Sequence, residues 1–190
     1  NILTTGKVFR HMVSNEHINV IKRNGRGPET LDIDKIHSMV GFATEGITGV
    51  SASHVEMNSG LQFFDGISTE DIQQILIKSA NDLISLESPN YQYVAARLLL
   101  FSLRKSLHHR LWEHPKFITH IKKLVDLGLY DKGILDNYTE AEIDRMGMWI
   151  DHERDYSFTY AGLRQVMDKY LVQDRSTGEI FETPQFMYMM

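Results

Sequence analysis

The sequence predicts a mainly α-helical fold: four helices capped by a short β-hairpin, then a second helical region that carries a β-hairpin of its own. Three observations predict it. Apolar residues recur at i, i+3, i+4 and i+7 through most long segments, the spacing of one helix face. Ser, Thr or Asp followed by acidic residues stands ahead of several of those segments, as at helix starts. Gly, Pro, Asn and Asp cluster between segments, and β-prone runs occur only beside two such clusters.

Ile18 to Lys22 reads as a strand that meets the turn cluster Asn24-Gly25-Arg26-Gly27-Pro28, and Thr30 to Ile33 returns as a second strand. A helix follows from about Asp34, capped by Asp32 or Asp34, with Ile36, Met39, Val40 and Ala43 as its apolar stripe and an end near Gly46. A second helix covers Ser53 to Phe63 and stops at Asp65-Gly66. Ser68-Thr69-Glu70-Asp71 opens a third, with Ile72, Ile75, Leu76, Ser79, Ala80 and Leu83 on one face. A fourth starts with Ser88 as cap and Pro89 at its first position, and its apolar residues cover most of its circumference, as expected of a central helix. Beyond a boundary at His108 to Pro115 come an amphipathic helix from Phe117 to Leu127, a capping box at Thr139 and Glu142 for a helix to about Ile150, and a helix from Tyr160 to Lys169. Tyr170 to Gln173 and Glu179 to Thr183 flank Asp174-Arg175-Ser176-Thr177-Gly178 as a hairpin, and Pro184 starts a last helix over Gln185 to Met190. That last segment is apolar and uncapped, so the chain is expected to be the front portion of something larger, or to have that end covered by another chain.

Composition narrows the function. The chain has 190 residues, 42% of them hydrophobic, enough to bury a core in one domain or in a domain plus part of another. A net charge of −5 gives no basic footprint, so no nucleic-acid partner is expected. The absence of cysteine excludes disulfides, thiolate metal sites, iron–sulfur clusters and thiyl-radical chemistry. The apolar run Leu98 to Phe101 ends at once in Ser102 and Arg104, so no membrane is expected, and Asn1 to Asn19 has no apolar signal-peptide core. The expected location is the cytoplasm. Residues 1–17, with His11-Met12 resembling a cloning junction, are expected to be an extension without assigned function.

A nucleoside triphosphate needs cations for its phosphates, an apolar wall for its base and a few acceptors for selectivity. Lys22, Arg23, Lys35 and Lys105 can supply the charge, Val20 and Phe101 the walls, and Glu29 with the backbone near Asp32 the reading of the base. Thr69 and Gln73, at i and i+4, share a helix face that can reach sugar or phosphate. Each of these residues also has an ordinary role as a solvated charge or a core aromatic.

Several ordered motifs together are more specific. Val20-Ile21-Lys22-Arg23-Asn24-Gly25 with Glu29-Thr30-Leu31-Asp32-Ile33-Asp34-Lys35-Ile36 resembles the opening of the ATP-cone domain. Asp65-Gly66-Ile67-Ser68-Thr69-Glu70-Asp71-Ile72 resembles its middle, and Tyr91-Gln92-Tyr93-Val94-Ala95-Ala96-Arg97-Leu98 its last helix, as found in class I ribonucleotide reductase large subunits. Tyr138-Thr139-Glu140-Ala141-Glu142, His152-Glu153-Arg154-Asp155 and Thr177-Gly178-Glu179-Ile180-Phe181-Glu182-Thr183-Pro184 resemble the helical start of their catalytic domain.

The resemblance implies a four-helix bundle capped by a short β-sheet at residues 18–108, and an incomplete helical part of the catalytic domain at 109–190. It implies ATP or dATP as allosteric effector, with Mg carried by the phosphates and no metal held by protein side chains. By resemblance the contacts fall on Lys22, on Glu29, Thr30, Leu31, Asp32, Ile33, Asp34 and Lys35, and on Thr69 and Lys105, with Val20, Arg23, Gln73 and Phe101 nearby. Expected partners are the remainder of the large subunit with its thiol-bearing barrel, the small radical-generating subunit, and further copies through the cone. The chain alone is expected to be inactive. The rival expectation is a non-enzymatic helical nucleotide-binding or docking module; an ATP-cone repressor would need zinc-ribbon cysteines. Many members of the family have His where this chain has Gln73, which cannot gain a proton, so the response to dATP is open. The Gly25 to Pro28 turn is also slightly longer than in some relatives.

Other constellations read more simply. His152-Glu153 lacks the second His of a zinc-protease motif, because Tyr156 stands there. His108, His109 and His114 are expected at the surface near a helix C-terminus. Gly25 to Pro28 lacks the Gly-Lys-Ser/Thr of a phosphate loop, and Glu140, Glu142, Asp144 and Asp151 read as a solvated acidic face.

Overall fold

The computed structural model describes residues 18–22, 28–60, 62–109 and 111–190. The expectations on residues 1–17, on Arg23 and on the Asn24 to Gly27 turn lie outside them. The chain divides into two compact units: one holds residues up to Leu99 together with Thr159–Ala161, the other Leu100–Phe158 and Gly162–Met190.

The first unit begins with strand β1 (Asn19–Ile21), which pairs antiparallel with β2 (Glu29–Thr30) in the register Asn19↔Thr30 and Val20↔Glu29. Alternation along β1 buries Val20 and leaves Ile21 exposed. The return strand is shorter than the sequence predicts. The Leu31 N–H still donates to the Ile18 carbonyl at 2.8 Å, but Asp32 then caps helix α1 (Ile33–Thr44) by accepting the Lys35 N–H. A cap fixes where the helix starts, so Ile33 leaves the strand. A third strand, β3 (Ile67–Ser68), pairs parallel with β1 through Val20↔Ile67 and Ile21↔Ser68, giving the order β2-β1-β3. Two residues carry no readable period, which is why the sequence does not reveal this strand. Gly66, at φ 82°, makes the turn into it, and its N–H donates to the Asn19 carbonyl at 2.8 Å.

Helix α1 buries Ile36, Val40 and Ala43. Helix α2 (Ala52–Gly60) ends short of Phe63 and buries Val55, Glu56 and Ser59. Helix α3 (Thr69–Asp82) has Ser68 as its N-cap and buries Ile72, Gln73, Leu76, Ile77, Ser79 and Ala80. Its inner face is therefore rotated from the expected one, taking Gln73 and Ile77 in and leaving Ile75 and Leu83 half-buried. Helix α4 (Tyr91–His108) begins two residues later than Pro89 suggests, because Ser85 to Ser88 close a turn first. Its residues to Leu99 belong to the first unit, where Arg97 donates to the Glu45 carbonyl at 2.6 Å and so holds the C-terminal end of α1. Tyr91 Oη accepts the Ser51 N–H at 3.0 Å.

The second unit contains α5 (Phe117–Asp126), α6 (Gly133–Asn137), α7 (Glu140–Gly147), a 3-10 helix (His152–Ser157), α8 (Tyr160–Lys169) from Gly162 onward, and α9 (Pro184–Met189). Its core gathers Phe117, Ile118, Ile121, Ile143 and Phe186. The capping box on α7 forms as expected, with Glu142 N–H on Thr139 Oγ1 at 3.3 Å and Thr139 N–H on Glu142 Oε2 at 2.8 Å. The second hairpin is reduced to a single Gln173↔Ile180 bridge. Glu182 turns inward instead of extending the ladder, accepts the Val172 N–H at 2.7 Å and takes a hydrogen bond from Tyr130 Oη.

Two histidines depart from the surface placement. His108 and His114 are half-buried, with rings 5.5 Å apart, and His114 stacks on His152 at 3.6 Å. Burial pushes His108 down, His114 down to about 3 and His152 down to about 4. His109 is exposed, as expected.

Candidate functional site

The three-stranded sheet gathers most of the expected nucleotide-site residues of the first unit. Val20 is buried in the middle strand, opposite Glu29 on one side and Ile67 on the other. Just past β1, Lys22 Nζ lies 2.6 Å from each carboxylate oxygen of Glu29 on the neighbouring strand. Both side chains are partly exposed, so the pair is solvent-screened and open to competition from a stronger anion. On the other side of β1, Ser68 pairs with Ile21 and passes directly into α3. That places Thr69 in the first turn of α3, and Gln73 one turn further on is buried. The parallel strand is the feature that joins this helix start to Lys22, and nothing in the periodicity of the sequence announced it.

Asp32 and Lys35 form a second charged pair at the start of α1. The Asp32 carboxylate accepts the Lys35 N–H at 3.2 Å and lies 3.0 Å from Lys35 Nζ. The Lys35 side chain holds Asp32 below the ordinary carboxylate range, and Asp32 raises Lys35 above the ordinary ammonium range. The Asp32 side chain is thus committed to capping, while the Lys35 head group stays exposed. Thr30 and Asp34 are exposed, and Leu31 and Ile33 half-buried, along the same stretch.

Phe101 and Lys105 fall on the part of α4 that belongs to the second unit. There Phe101 is buried and meets Trp112 and Tyr156 edge-on at 5.6 and 6.2 Å, the contacts of a core aromatic. Lys105 is exposed. Among the described residues no group of three or more His, Asp or Glu is placed to hold a metal ion.

One buried acid escaped the sequence reading. Glu56 on α2 is completely buried, and its Oε1 lies 2.7 Å from His37 Nδ1. Burial raises its carboxyl above the ordinary range, with His37 acting against that rise. The only sequence signal is a carboxylate on the face of a helix that also carries Val55 and Ser59, and helical spacing alone does not separate that from a solvated position.

The family model for the ATP cone domain matches residues 18–106. Over 176 residues the chain is 47% identical to ribonucleoside-diphosphate reductase 1 subunit alpha of Escherichia coli (strain K12), an alignment covering 93% of this chain and 23% of that protein. It is 48% identical, with the same coverage, to the subunit of the same name from Salmonella typhimurium (strain LT2). The ribonucleoside-diphosphate reductase subunit alpha of Enterobacteria phage T4 is 45% identical over 172 residues, 90% of this chain and 22% of that protein. The chain therefore spans less than a quarter of the length of these relatives.

Proposed function

From the membership of residues 18–106 in the ATP-cone family, and the likeness of the chain to ribonucleoside-diphosphate reductase alpha subunits, we propose that this is the regulatory front portion of such a subunit. It binds ATP or dATP at an overall activity site. The observation that supports this reading is the small sheet: a screened lysine with its acidic partner, a buried valine and the start of α3 lie along its neighbouring strands, residue types suited to a phosphate and a base.

In this reading Lys22 exchanges Glu29 for phosphate oxygens, and Lys35 adds a second cation. Thr69 and the first turn of α3 supply a hydroxyl and N–H groups, and Val20 supports the base. Glu29, Thr30, Leu31, Asp32, Ile33 and Asp34 form the segment that reads the base and sugar. Arg23, Gln73, Phe101 and Lys105 complete the set by family resemblance. Mg rides on the phosphates, because the donor set here is cationic and suits an anion. The cone occupies residues 18–108, and residues 109–190 are the helical start of the catalytic domain. Nucleotide occupancy is coupled to assembly with the rest of the large subunit, with the small radical-generating subunit and with further copies through the cone, in the cytoplasm. Ribonucleotide reduction then needs thiols from the rest of the large subunit, since this chain has no cysteine.

The test is reductase activity after reconstitution with the remainder of the alpha subunit and the small subunit. ATP is expected to sustain activity, and Lys22→Ala is expected to shift the activating ATP concentration upward by about tenfold, the loss of a charge-assisted contact. Activity independent of ATP, with or without Lys22, overturns the reading and favours a docking module. Adding dATP to the same assay shows whether Gln73 in place of His leaves inhibition intact.

A further inference from the structure

We propose that Glu56 and His37 form a proton-operated clasp on the seam between α1 and α2 of the first unit, closed while the pair is neutral overall and loosened when it loses a proton to water. Glu56 is completely buried, on the same face of α2 as Val55 and Ser59. Its Oε1 lies 2.7 Å from Nδ1 of His37 on α1, and the His37 side chain is exposed. A buried acid thus meets a base that stands in water, and the base gives the proton its path in and out. The other carboxyl oxygen, Oε2, is shut off from solvent and has no hydrogen-bond partner. The Ser59 hydroxyl does not serve it, because it donates to the Glu56 backbone carbonyl at 2.9 Å.

The charge states set the direction. With the proton held, an imidazolium faces a carboxylate, or a neutral imidazole faces a carboxylic acid; either way the buried pair carries no net charge. Release of the proton leaves an ionised carboxylate inside the seam with one neutral N–H bond and one bare oxygen. A buried charge without its counter-charge is costly, so opening the seam to water becomes easier. Burial raises the Glu56 carboxyl, with His37 opposing the rise. A carboxyl raised by folding contributes stability below its unfolded value and loses it as the pH rises through the folded one, so the seam loosens with rising pH.

Among the described residues, the other charges of the packed elements point elsewhere. On α1, Asp34 and Glu45 are exposed and Lys35 pairs with Asp32. On α3, Glu70, Asp71, Lys78 and Asp82 are exposed, and the polar contact with α2 is uncharged, Asn58 Nδ2 on the Ser79 carbonyl at 3.3 Å. His54 of α2 is exposed and bonds Tyr91 Oη of α4 at 3.3 Å. His37 follows Lys35 on the helix that Asp32 caps. On the activity-site reading, the same proton therefore tunes how firmly that helix start is held for a phosphate; the clasp itself needs no nucleotide.

The test is made without nucleotide, so its failure is distinct from the failure of that reading. The Glu56 carboxyl is followed by carbon-13 NMR over about pH 4 to 9, together with amide exchange at Val40 of α1 and Val55 of α2, each corrected for its intrinsic rate. The carboxyl is expected to titrate above the ordinary value of about 4.3, with a matching step on the His37 ring. Across that step, protection at Val40 and Val55 should fall by up to about tenfold per pH unit, the limit for one proton coupled to opening. Glu56→Gln keeps the side-chain shape but cannot ionise, and is expected to abolish the fall. A carboxyl that titrates in the ordinary range, protection that does not fall, or an equal fall in Glu56→Gln overturns the proposal. Should the variant not fold, the titration and exchange of the unaltered chain decide.

Discussion

Lys22 shows how one side chain separates binding from folding. Its ion pair with Glu29 is short but screened. Lys22→Ala is therefore expected to change unfolding stability by no more than about 0.5 kcal/mol in chemical denaturation, while ATP affinity falls far more than adenosine affinity. Equal loss for both ligands would contradict a phosphate role. The opposite balance holds at Arg104, almost fully buried in the second unit beside Asp155. Its guanidinium donates to the His152 carbonyl at 2.5 Å and to Tyr156 Oη at 2.9 Å, and Gln185 donates to the other Asp155 oxygen at 2.8 Å. Arg104→Ala leaves a buried carboxylate without its cation and is expected to cost about 3–5 kcal/mol in urea unfolding. Acid reaches the same region through its histidines. Burial holds His120 and His152 at about 4 and His114 at about 3, below their unfolded value, so the unfolded chain binds the extra protons. Their contribution is complete above about pH 6.5 and declines as the pH falls through the window down to those folded values. Asp155 and Glu182, raised by burial, act in the opposite sense at the acid end. The urea midpoint is expected to drop between pH 7 and pH 5, and His114→Gln to flatten that drop; a midpoint constant over the range would contradict the buried, neutral imidazoles.

Local chemistry made the helices legible and left the strands obscure. Asp32, Ser68 and Thr139 each cap the helix that the sequence assigns them, because a cap is a contact within three residues and needs no tertiary help. Thr139→Ala is expected to cost about 1 kcal/mol and to fray α7 first, seen as faster amide exchange at Ile143. Strand β3 and the buried Glu182 depend on partners tens of residues away and have no local signature. The same limit explains the histidines. A helix C-terminus suggested a wet His108 and His114, yet the ring of His152, far along the chain, covers His114. In the first unit, the Lys22–Glu29 pair and the Asp32 to Lys35 turn join residues close in sequence, whereas the approach of Thr69 to β1 comes from a strand pairing far along the chain.

At the scale of the molecule, helix α4 belongs to both units, and the expected site list divides with it: Val20 to Gln73 lie in the first, Phe101 and Lys105 in the second. If Lys105 contacts phosphate as the family resemblance implies, Lys105→Ala should lower ATP affinity as Lys22→Ala does. An unchanged affinity would remove Lys105 from the phosphate contacts. The whole reading is decided by calorimetric titration of ATP and dATP into the chain, with Lys22→Ala titrated in parallel. Saturable binding of both nucleotides, weakened by about tenfold in the variant, is the expected result. A folded chain that takes up neither nucleotide in the millimolar range would contradict it.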